Sequence, residues 1–246
     1  MPDWHKLESI ITPDQCDETG ITRPDAWFQL FQWIAAEHSR AMRCDHDGDL
    51  PPSVLWIMLG AHTQWHSPAR AGDTLLIRTA PAAHSHGMYQ RRINITDVNG
   101  KPIADNVGFW TLMDRDTRRI TRNGLIQRRH TDIETGDGVR PAPFVPLEDA
   151  RAAQWSYTPG AVDIDNNGHV NNARYIAWMD AALRGLSGGP VSPRTLDVWY
   201  AAEVMPGEPL AGKTALADDG RFTFEVFRQG AGDEKARFTA SGFMLR

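Results

Sequence analysis

The strongest constraint on this chain is an internal repeat, because two copies of one plan predict two similar folding units. Each half of the 246 residues opens with a polar loop, continues with one long helix and ends with several strand-like segments. Three short segments recur in the same order at similar offsets. Residues 17–20, 65–75 and 107–110 of the first half match residues 165–168, 200–210 and 241–244 of the second.

Hydrophobic spacing predicts the helices and strands of each half. Apolar residues recur every three or four positions over residues 23–42, and a second apolar-faced helix is predicted over residues 171–186. Strands are predicted over residues 54–60, 60–66, 74–80, 88–96 and 102–113 in the first half, and over 195–202, 210–217, 222–228 and 236–245 in the second.

A sheet with one apolar face has to be covered, and one long helix wrapped by the sheet covers it. This is the hot-dog arrangement, so the predicted fold class is α+β, a tandem (double) hot-dog. Residues 1–126 are assigned to the N-terminal half, the polar and proline-punctuated residues 127–150 to a linker, and residues 151–246 to the C-terminal half. Two copies in one chain can pair their sheets edge to edge, which removes exposed edges.

Composition argues against several classes of function. The net charge of −5 and the pI near 6.0 do not fit a general nucleic-acid or membrane-surface binder. The two cysteines, Cys16 and Cys44, form no metal-type cluster and fit a reducing compartment. The first residues lack the basic and apolar regions of a secretory signal, so a soluble cytoplasmic protein is expected.

The most unusual stretch is residues 163–172, DIDNNGHVNN, in which eight of ten residues are polar or glycine. A plain helix-start turn explains only a few of them, although Asx residues do favour turns and caps. A calcium loop is a second interpretation, since Asp163, Asp165, Asn167 and Gly168 fill early EF-hand positions. The twelfth position, which needs a bidentate Glu, is Arg174, and this disfavours calcium.

Catalysis is the third interpretation of this stretch. His169 can donate or shuttle a proton near neutral pH, Asn167 can donate an amide N–H to a carbonyl or water, and Asp165 can orient His169 or a water. The start of the following helix presents backbone N–H groups that suit an oxyanion. Hydrolysis also needs a base near the reacting carbonyl, and Glu203, directly after the strand at 195–202, is the candidate.

These residues resemble the signature of acyl-acyl-carrier-protein thioesterases of bacteria and plant plastids. In that family an Asp-x-Asn-x-His motif precedes Val-Asn-Asn and an aromatic-rich helix, and a Glu follows about 34 residues after the His. A Trp-x-x-x-Asp stretch followed by Arg-Arg is a further family feature, matched here by residues 110–119. The catalytic set that the resemblance implies is Asp165, Asn167, His169 and Glu203, the last lying 34 residues after His169.

The resemblance extends over nearly the whole chain and implies hydrolysis of fatty acyl-acyl-carrier protein to free fatty acid and carrier protein, with no cofactor and no metal. Many plant members carry Cys directly after the Glu, whereas this chain has Val204. A thiolate nucleophile at that position is therefore excluded, and attack by a carboxylate-activated water remains.

Three other functions stay open. An acyl-CoA thioesterase would perform the same chemistry on another carrier. A hot-dog dehydratase would use a His and a carboxylate on a 3-hydroxyacyl chain, which Asn167 and Glu203 disfavour. A non-catalytic acyl binder would not require all four polar positions.

The repeat predicts one active site per chain. Thr19, Ile21 and Pro68 occupy the positions of Asn167, His169 and Glu203, so the first half is expected to hold the acyl tail instead. The substrate-binding residues are then assigned as Trp27, Leu30, Phe31 and Ile34 on the first helix, lining an apolar tunnel, with Asn171 and Asn172 after the motif. Packing in the core remains the alternative for each of the four helix residues.

The expected partner is an acyl-carrier protein, and such proteins are acidic. A local basic segment over residues 115–130 is therefore a candidate docking surface on this acidic chain. Docking is assigned to Arg118, Arg119 and Arg122. The chain is expected to be a monomer or a homodimer, because two fused hot dogs can satisfy the usual dimer within one chain.

Overall fold

A computed structural model describes residues 4–85, 87–131, 139–166, 168–230 and 235–244, and it confirms the double hot-dog prediction. Within these residues no helix is both long enough and apolar enough to cross a membrane.

One antiparallel sheet of eleven strands runs through the described residues. The first half contributes β1 (His5–Ile10), β2 (Val54–Trp65), β3 (Thr74–Ser85), β4 (Met88–Thr96), β5 (Pro102–Asp114) and the short β6 (Ile120–Thr121). The second half contributes β7 (Arg151–Tyr157), β8 (Pro193–Tyr200), β9 (Leu210–Leu216), β10 (Arg221–Arg228) and β11 (Phe238–Met244). The order β1-β3-β4-β5-β2 continues as β8-β11-β10-β9-β7, so the second half repeats the path of the first in reverse.

Three helices accompany the sheet in the described residues: α1 (Pro24–Ala41), α2 (Gly124–Thr131) and α3 (Asn172–Ser187). The two long helices contact each other and bury their apolar faces against the sheet. Pro24 occupies the first turn of α1, and Thr22, which lies two residues before it, does not cap the helix. Its hydroxyl instead donates to the carbonyl of Ala69 at 2.9 Å.

Several elements differ from the sequence prediction. Strands β1 and β7 were not predicted. Both lie at the edges of the sheet and contain no buried residue, so neither has a continuous apolar face. Helix α2 begins before residue 127 and continues into the segment assigned to the linker. The helix was not predicted because its three basic residues, Arg128, Arg129 and His130, make the segment as polar as the linker that follows it.

The two halves join where β2 pairs with β8, from Gly60 opposite Trp199 to Gln64 opposite Thr195. A Cβ at position 60 would lie 2.4 Å from the carbonyl oxygen of Val198, so this close approach of two backbones requires glycine. Edge-to-edge pairing of the halves is thus confirmed.

The polar loops before α1 and α3 have the same hydrogen bonds. The backbone N–H of Asp17 donates to the carbonyl of Ile21 at 2.8 Å, and that of Asp165 donates to the carbonyl of His169 at 2.9 Å. Each loop closes on a glycine with positive φ, +76° at Gly20 and +81° at Gly168.

A second shared hydrogen bond ties each loop to the segment after β2 or β8. The N–H of Thr22 donates to the carbonyl of Ala69 at 2.9 Å, and the N–H of Val170 donates to the carbonyl of Val204 at 3.1 Å. Ala69 is therefore equivalent to Val204, which makes Pro68 equivalent to Glu203 and Ile21 equivalent to His169. The three-dimensional repeat matches the alignment read from the sequence.

Candidate active site

The loop before α3 is fixed by a buried carboxylate. Asp163 is 1% exposed and accepts hydrogen bonds from the hydroxyl of Tyr157 at 2.9 Å, the N–H of Gly160 at 2.9 Å and Nε of Arg174 at 2.7 Å. Burial alone would raise the pKa of Asp163, but these donors hold the pKa below its usual range. Asp163 thus anchors the start of the loop that carries Asp165 and His169.

Asn171 begins α3 as its N-cap. Its Oδ1 accepts from the N–H of Ala173 at 2.8 Å, and Nε2 of Gln32 on α1 donates to the same oxygen at 3.4 Å. The side chain predicted to bind substrate therefore serves the helix start and the contact with α1. Its neighbour Asn172 does line the cavity described below, and its carbonyl accepts from the hydroxyl of Tyr200 at 3.0 Å.

We expect Asn171→Ala to lower the free energy of unfolding by about 0.5–2 kcal/mol, because the variant loses the side-chain acceptor at the helix start. Asn171→Asp retains an acceptor and serves as the matched control. Urea denaturation followed by circular dichroism measures both. Equal midpoints for the two variants would contradict a capping role.

Glu203 and His169 meet although they are far apart in sequence. Nε2 of His169 lies 3.4 Å from Oε2 of Glu203, and both side chains are partly buried. The hydrogen bond between Val170 and Val204 causes this meeting, because each of these residues directly follows one member of the pair. The side chains of His169 and Glu203 are thus brought to one place in the fold by this backbone pairing.

A third side chain, Arg118, joins this pair from the N-terminal half. Its guanidinium forms an ion pair with Oε2 of Glu203. The tight turn between β5 and β6 delivers it: Asp114 accepts from the N–H and the hydroxyl of Thr117, both at 2.8 Å, and Arg118 adopts a left-handed φ of +56°. Arg118 was assigned to carrier docking, and the structure instead pairs it with Glu203 inside the chain.

The imidazole of His169 is tuned by its surroundings. Burial lowers its pKa from the ordinary value, and the charge of Arg118 acts in the same direction, while Asp165 partly opposes them. His169 is therefore neutral near pH 7. A neutral imidazole beside a carboxylate can hold or transfer a proton without adding a buried charge.

A cavity of about 660 Å³ opens beside these groups and continues into the N-terminal half. This volume is within the range of small-molecule sites. The loop before α3, the first turn of α3 and the segment after β8 form one end of it, with Asp165, His169, Asn172, Tyr175 and Glu203. The remaining wall comes mostly from the first half and includes Gln32, Ala35, Ala36 and Ser39 of α1, Leu55–Leu59 of β2, Tyr89, Gln90 and Arg91 of β4, and Trp110, Thr111 and Met113 of β5.

The face of α1 predicted to line this cavity is not the one that does so. Trp27, Leu30 and Ile34 are buried in the core and do not contribute to the cavity wall, and Phe31 borders only a small second void. The large apolar side chains of α1 pack in the core. The small and polar side chains on the neighbouring face of the helix, Gln32, Ala36 and Ser39, line the cavity. The lining of this cavity therefore does not support a tunnel-lining role for these four residues, and that role stays a prediction.

Asn167 lies outside the described residues, so its predicted role stays a prediction. Arg119 follows Arg118 in the loop between β5 and β6, Arg122 directly follows β6, and both are exposed. Among the described residues no group of three or more His, Cys, Asp or Glu side chains is arranged to hold a metal ion.

The fold and this site define a double hot-dog protein in which the candidate catalytic side chains Asp165, His169 and Glu203 all come from the second half. Two family models match it: the acyl-ACP thioesterase N-terminal domain over residues 3–123 and the acyl-ACP thioesterase C-terminal domain over residues 148–239. The chain belongs to the acyl-ACP thioesterase family.

Curated relatives share part of the sequence. The chloroplastic palmitoyl-acyl carrier protein thioesterase of Cuphea hookeriana is 26% identical over an alignment of 136 residues that covers 51% of this chain and 32% of the relative. The chloroplastic oleoyl-acyl carrier protein thioesterase 1 of Arabidopsis thaliana is 24% identical over an alignment of 174 residues that covers 61% of this chain and 46% of the relative. The chain thus spans less than half the length of the curated relatives it matches.

Solved structures share the fold over almost the full chain. The 12:0-ACP thioesterase from Umbellularia californica superposes with a TM-score of 0.83 at 18% identity, covering 98% of this chain and 97% of that one. An acyl-ACP thioesterase from Bacteroides thetaiotaomicron gives a TM-score of 0.81 at 16% identity, covering 98% of both chains. At such low identity these likenesses show the fold.

Proposed function

We propose that this chain hydrolyses the thioester of a fatty acyl-acyl-carrier protein to free fatty acid and carrier protein. The observation that carries the proposal is the meeting of Glu203 and His169, 3.4 Å apart, at the end of a large cavity. Membership of the acyl-ACP thioesterase family supports the same reaction class. The free Cys16 and Cys44 support a reducing compartment such as the cytoplasm.

In the proposed mechanism Glu203 is the general base. It accepts a proton from a water molecule while the water oxygen attacks the thioester carbonyl carbon. Oε1 of Glu203 is buried without a hydrogen-bond partner among the described residues, and an acceptor in that position favours a donor such as this water. His169 and Asp165 hold the carboxylate and the water in place.

The tetrahedral intermediate carries its negative charge on the former carbonyl oxygen. Backbone N–H groups at the start of α3 and the amide of Asn167 stabilise that oxyanion in this proposal. Collapse of the intermediate breaks the carbon–sulfur bond, and the proton held by Glu203 passes to the sulfur of the leaving thiol. Water is thereby divided between the acid and the thiol, and no redox change occurs.

The first half is proposed to hold the acyl chain. Most of the cavity wall comes from α1, β2, β4 and β5, while Ile21 and Pro68 replace the polar groups that the second half carries. One site per chain follows, and a single chain contains all of its described groups. The proposal is therefore compatible with a monomer or a homodimer.

Carrier docking is proposed for the surface beside the cavity. Arg118 and Ile120 contribute to the cavity wall, and Arg119 and Arg122 are exposed next to them. Ile120 is 66% exposed, so the surface combines positive charge with apolar area. An acidic partner that delivers a thioester into the cavity would contact this surface first.

The test of the proposed function compares one acyl group on acyl-carrier protein and on coenzyme A, with released thiol and free fatty acid measured together. We expect hydrolysis of both, a higher kcat/KM on the carrier protein, and a KM for that substrate that rises with salt. Arg122→Glu should raise this KM, whereas Lys101→Glu, at the opposite end of β5, should not. Absence of thioester hydrolysis on either carrier would contradict the proposal.

The pH dependence of kcat/KM should report the lowered pKa of His169. If the neutral imidazole is the active form, activity is retained above its pKa and is lost as pH falls through it, below about pH 6.5. Arg118→Gln removes one of the groups that lower the pKa of His169, so the acidic limb of the pH profile of kcat/KM should move to higher pH. Arg119→Gln, a neighbouring exposed arginine, should leave the limb in place, and an unmoved limb in Arg118→Gln would contradict the assignment.

A further inference from the structure

One cation lies inside the cavity without an opposite charge. Arg91 on β4 is 6% exposed and lines both the large cavity and the small second void. Its Nη1 lies 2.5 Å from Nδ1 of His38 and 3.4 Å from Oγ1 of Thr79. Among the described residues no carboxylate forms an ion pair with it.

The partners of Arg91 are neutral acceptors. Burial lowers the pKa of His38 to about 3 and that of Arg91 to about 10, so near pH 7 the imidazole is uncharged and the guanidinium is charged. Thr79 donates its hydroxyl proton to the carbonyl of Arg92 and accepts from Arg91 with a lone pair. Burying an unpaired charge is unfavourable, and proteins normally compensate it with a carboxylate or a ligand.

The repeat shows that this polar pair is specific to the first half. Arg91 lies opposite Gly108 on β5, and the matching glycine, Gly242 on β11, lies opposite Phe222. Phe222 is fully buried in the core. Counting from the equivalent residues Thr22 and Val170 places Leu186 at the position of His38. Apolar residues thus satisfy the fold at both positions, and the fold itself does not require an arginine and a histidine there.

The cation lies well away from the reacting end of the cavity. Gln32 contacts Asn171 beside the catalytic loop, and His38 follows Gln32 by six residues on α1, about 9 Å farther along the helix axis at its usual rise. Across the sheet Arg91 is three strand spacings from Val198 on β8, roughly 14 Å. The guanidinium would therefore meet the acyl chain part-way along it or at its far end.

We propose that the cavity takes acyl chains that carry an oxygen function, a hydroxyl, oxo or carboxylate group remote from the thioester, and that Arg91 binds that oxygen. The inference rests on the proposed function for the thioester, but the interaction itself concerns only the acyl tail. Trp110, which lines both the large cavity and the small second void together with Arg91, adds a polar N–H group near it. Recognition of the oxygen by a charged donor explains why a cation is kept among neutral partners.

The test measures binding of free acids by calorimetry, which does not depend on hydrolysis. Unsubstituted, hydroxylated, oxo and dicarboxylic acids of matched length are compared on the wild-type chain and on Arg91→Met. We expect one oxygenated class to bind at least about tenfold more tightly than the unsubstituted acid, the size of a hydrogen bond to a charged group, and Arg91→Met to remove that preference. Comparing the dicarboxylic acids with the hydroxylated and oxo acids shows whether Arg91 prefers an anionic or a neutral oxygen group on the acyl chain.

Arg92→Met is the matched control, because Arg92 is the next residue on β4 and points to the other face of the strand. Arg92→Met should keep the preference for the oxygenated acid. Arg91→Lys keeps the charge and serves as a second variant if Arg91→Met does not fold. Equal affinities for all acids on the wild-type chain, or an equal loss for all acids in both Arg91 variants, would overturn the inference. Thioester hydrolysis measured on the same preparations separates that failure from failure of the proposed function.

Discussion

Replacing Glu203 with Gln is expected to lower kcat/KM for thioester hydrolysis by at least about a hundredfold, because a positioned general base contributes roughly 10²–10⁴-fold. The substitution keeps the size of the side chain and removes its ability to take a proton. His169→Ala should cause a loss of similar kind, since its imidazole lies 3.4 Å from the same carboxylate.

The chain offers a matched control for this prediction. Asp197 on β8 also contacts a histidine, His62 on β2, at 2.7 Å, and neither residue lines the cavity. Asp197→Asn should therefore leave kcat/KM within a few-fold of wild type. Hydrolysis by Glu203→Gln within tenfold of wild type, with released thiol as the readout, would remove Glu203 from the mechanism.

The second large effect is expected at Trp27. Truncating a buried tryptophan to alanine costs about 3–5 kcal/mol in free energy of unfolding, which is a loss of roughly 6–20 °C in melting temperature for a chain of this size. Trp27 is 3% exposed and stacks on Phe31 at a ring-centroid distance of 6.0 Å. Since it does not line the cavity, the folded fraction of Trp27→Ala should keep the wild-type preference among acyl chain lengths.

Ala36→Leu is the complementary variant. Ala36 is on the cavity wall, so a larger side chain should shift activity toward shorter acyl chains while the melting temperature changes little. Thermal unfolding and a panel of acyl chain lengths distinguish the two variants. A changed length preference with an unchanged melting temperature in Trp27→Ala would restore the tunnel-lining role originally assigned to it.

The difference between these two residues shows why the sequence predicted the helix but not its cavity-facing side. Large apolar residues at helical spacing identify the face that packs most densely, and in α1 that face is in the core. The residues of α1 that line the cavity, among them Gln32, Ala36 and Ser39, are small or polar. They form no hydrophobic pattern, so the sequence does not indicate that they face a cavity. Only the packed structure distinguishes one face from the other.

Arg118 and Arg91 illustrate the same limit for charged residues. In the sequence Arg118 belongs to a basic segment and was assigned to carrier docking. In the structure Arg118 itself has a left-handed backbone conformation after β5, and its side chain forms an ion pair with Glu203 of the other half. Arg91 alternates with Tyr89 and Ile93 on the buried face of β4, and this alternation was a signal that the sequence contained. Its lack of a carboxylate partner could be seen only once the neighbouring elements were in place.

The sequence by itself determined the repeat, the α+β double hot-dog class, the two long helices and the equivalence of Pro68 with Glu203, because periodicity, turn residues and spacing are local properties of the chain. The tertiary structure decided which distant side chains meet: His169 with Glu203 and Arg118, and Arg91 with His38. Those contacts depend on strand pairing and on the hydrogen bond between Val170 and Val204. Such long-range geometry arises only when the two segments pack together.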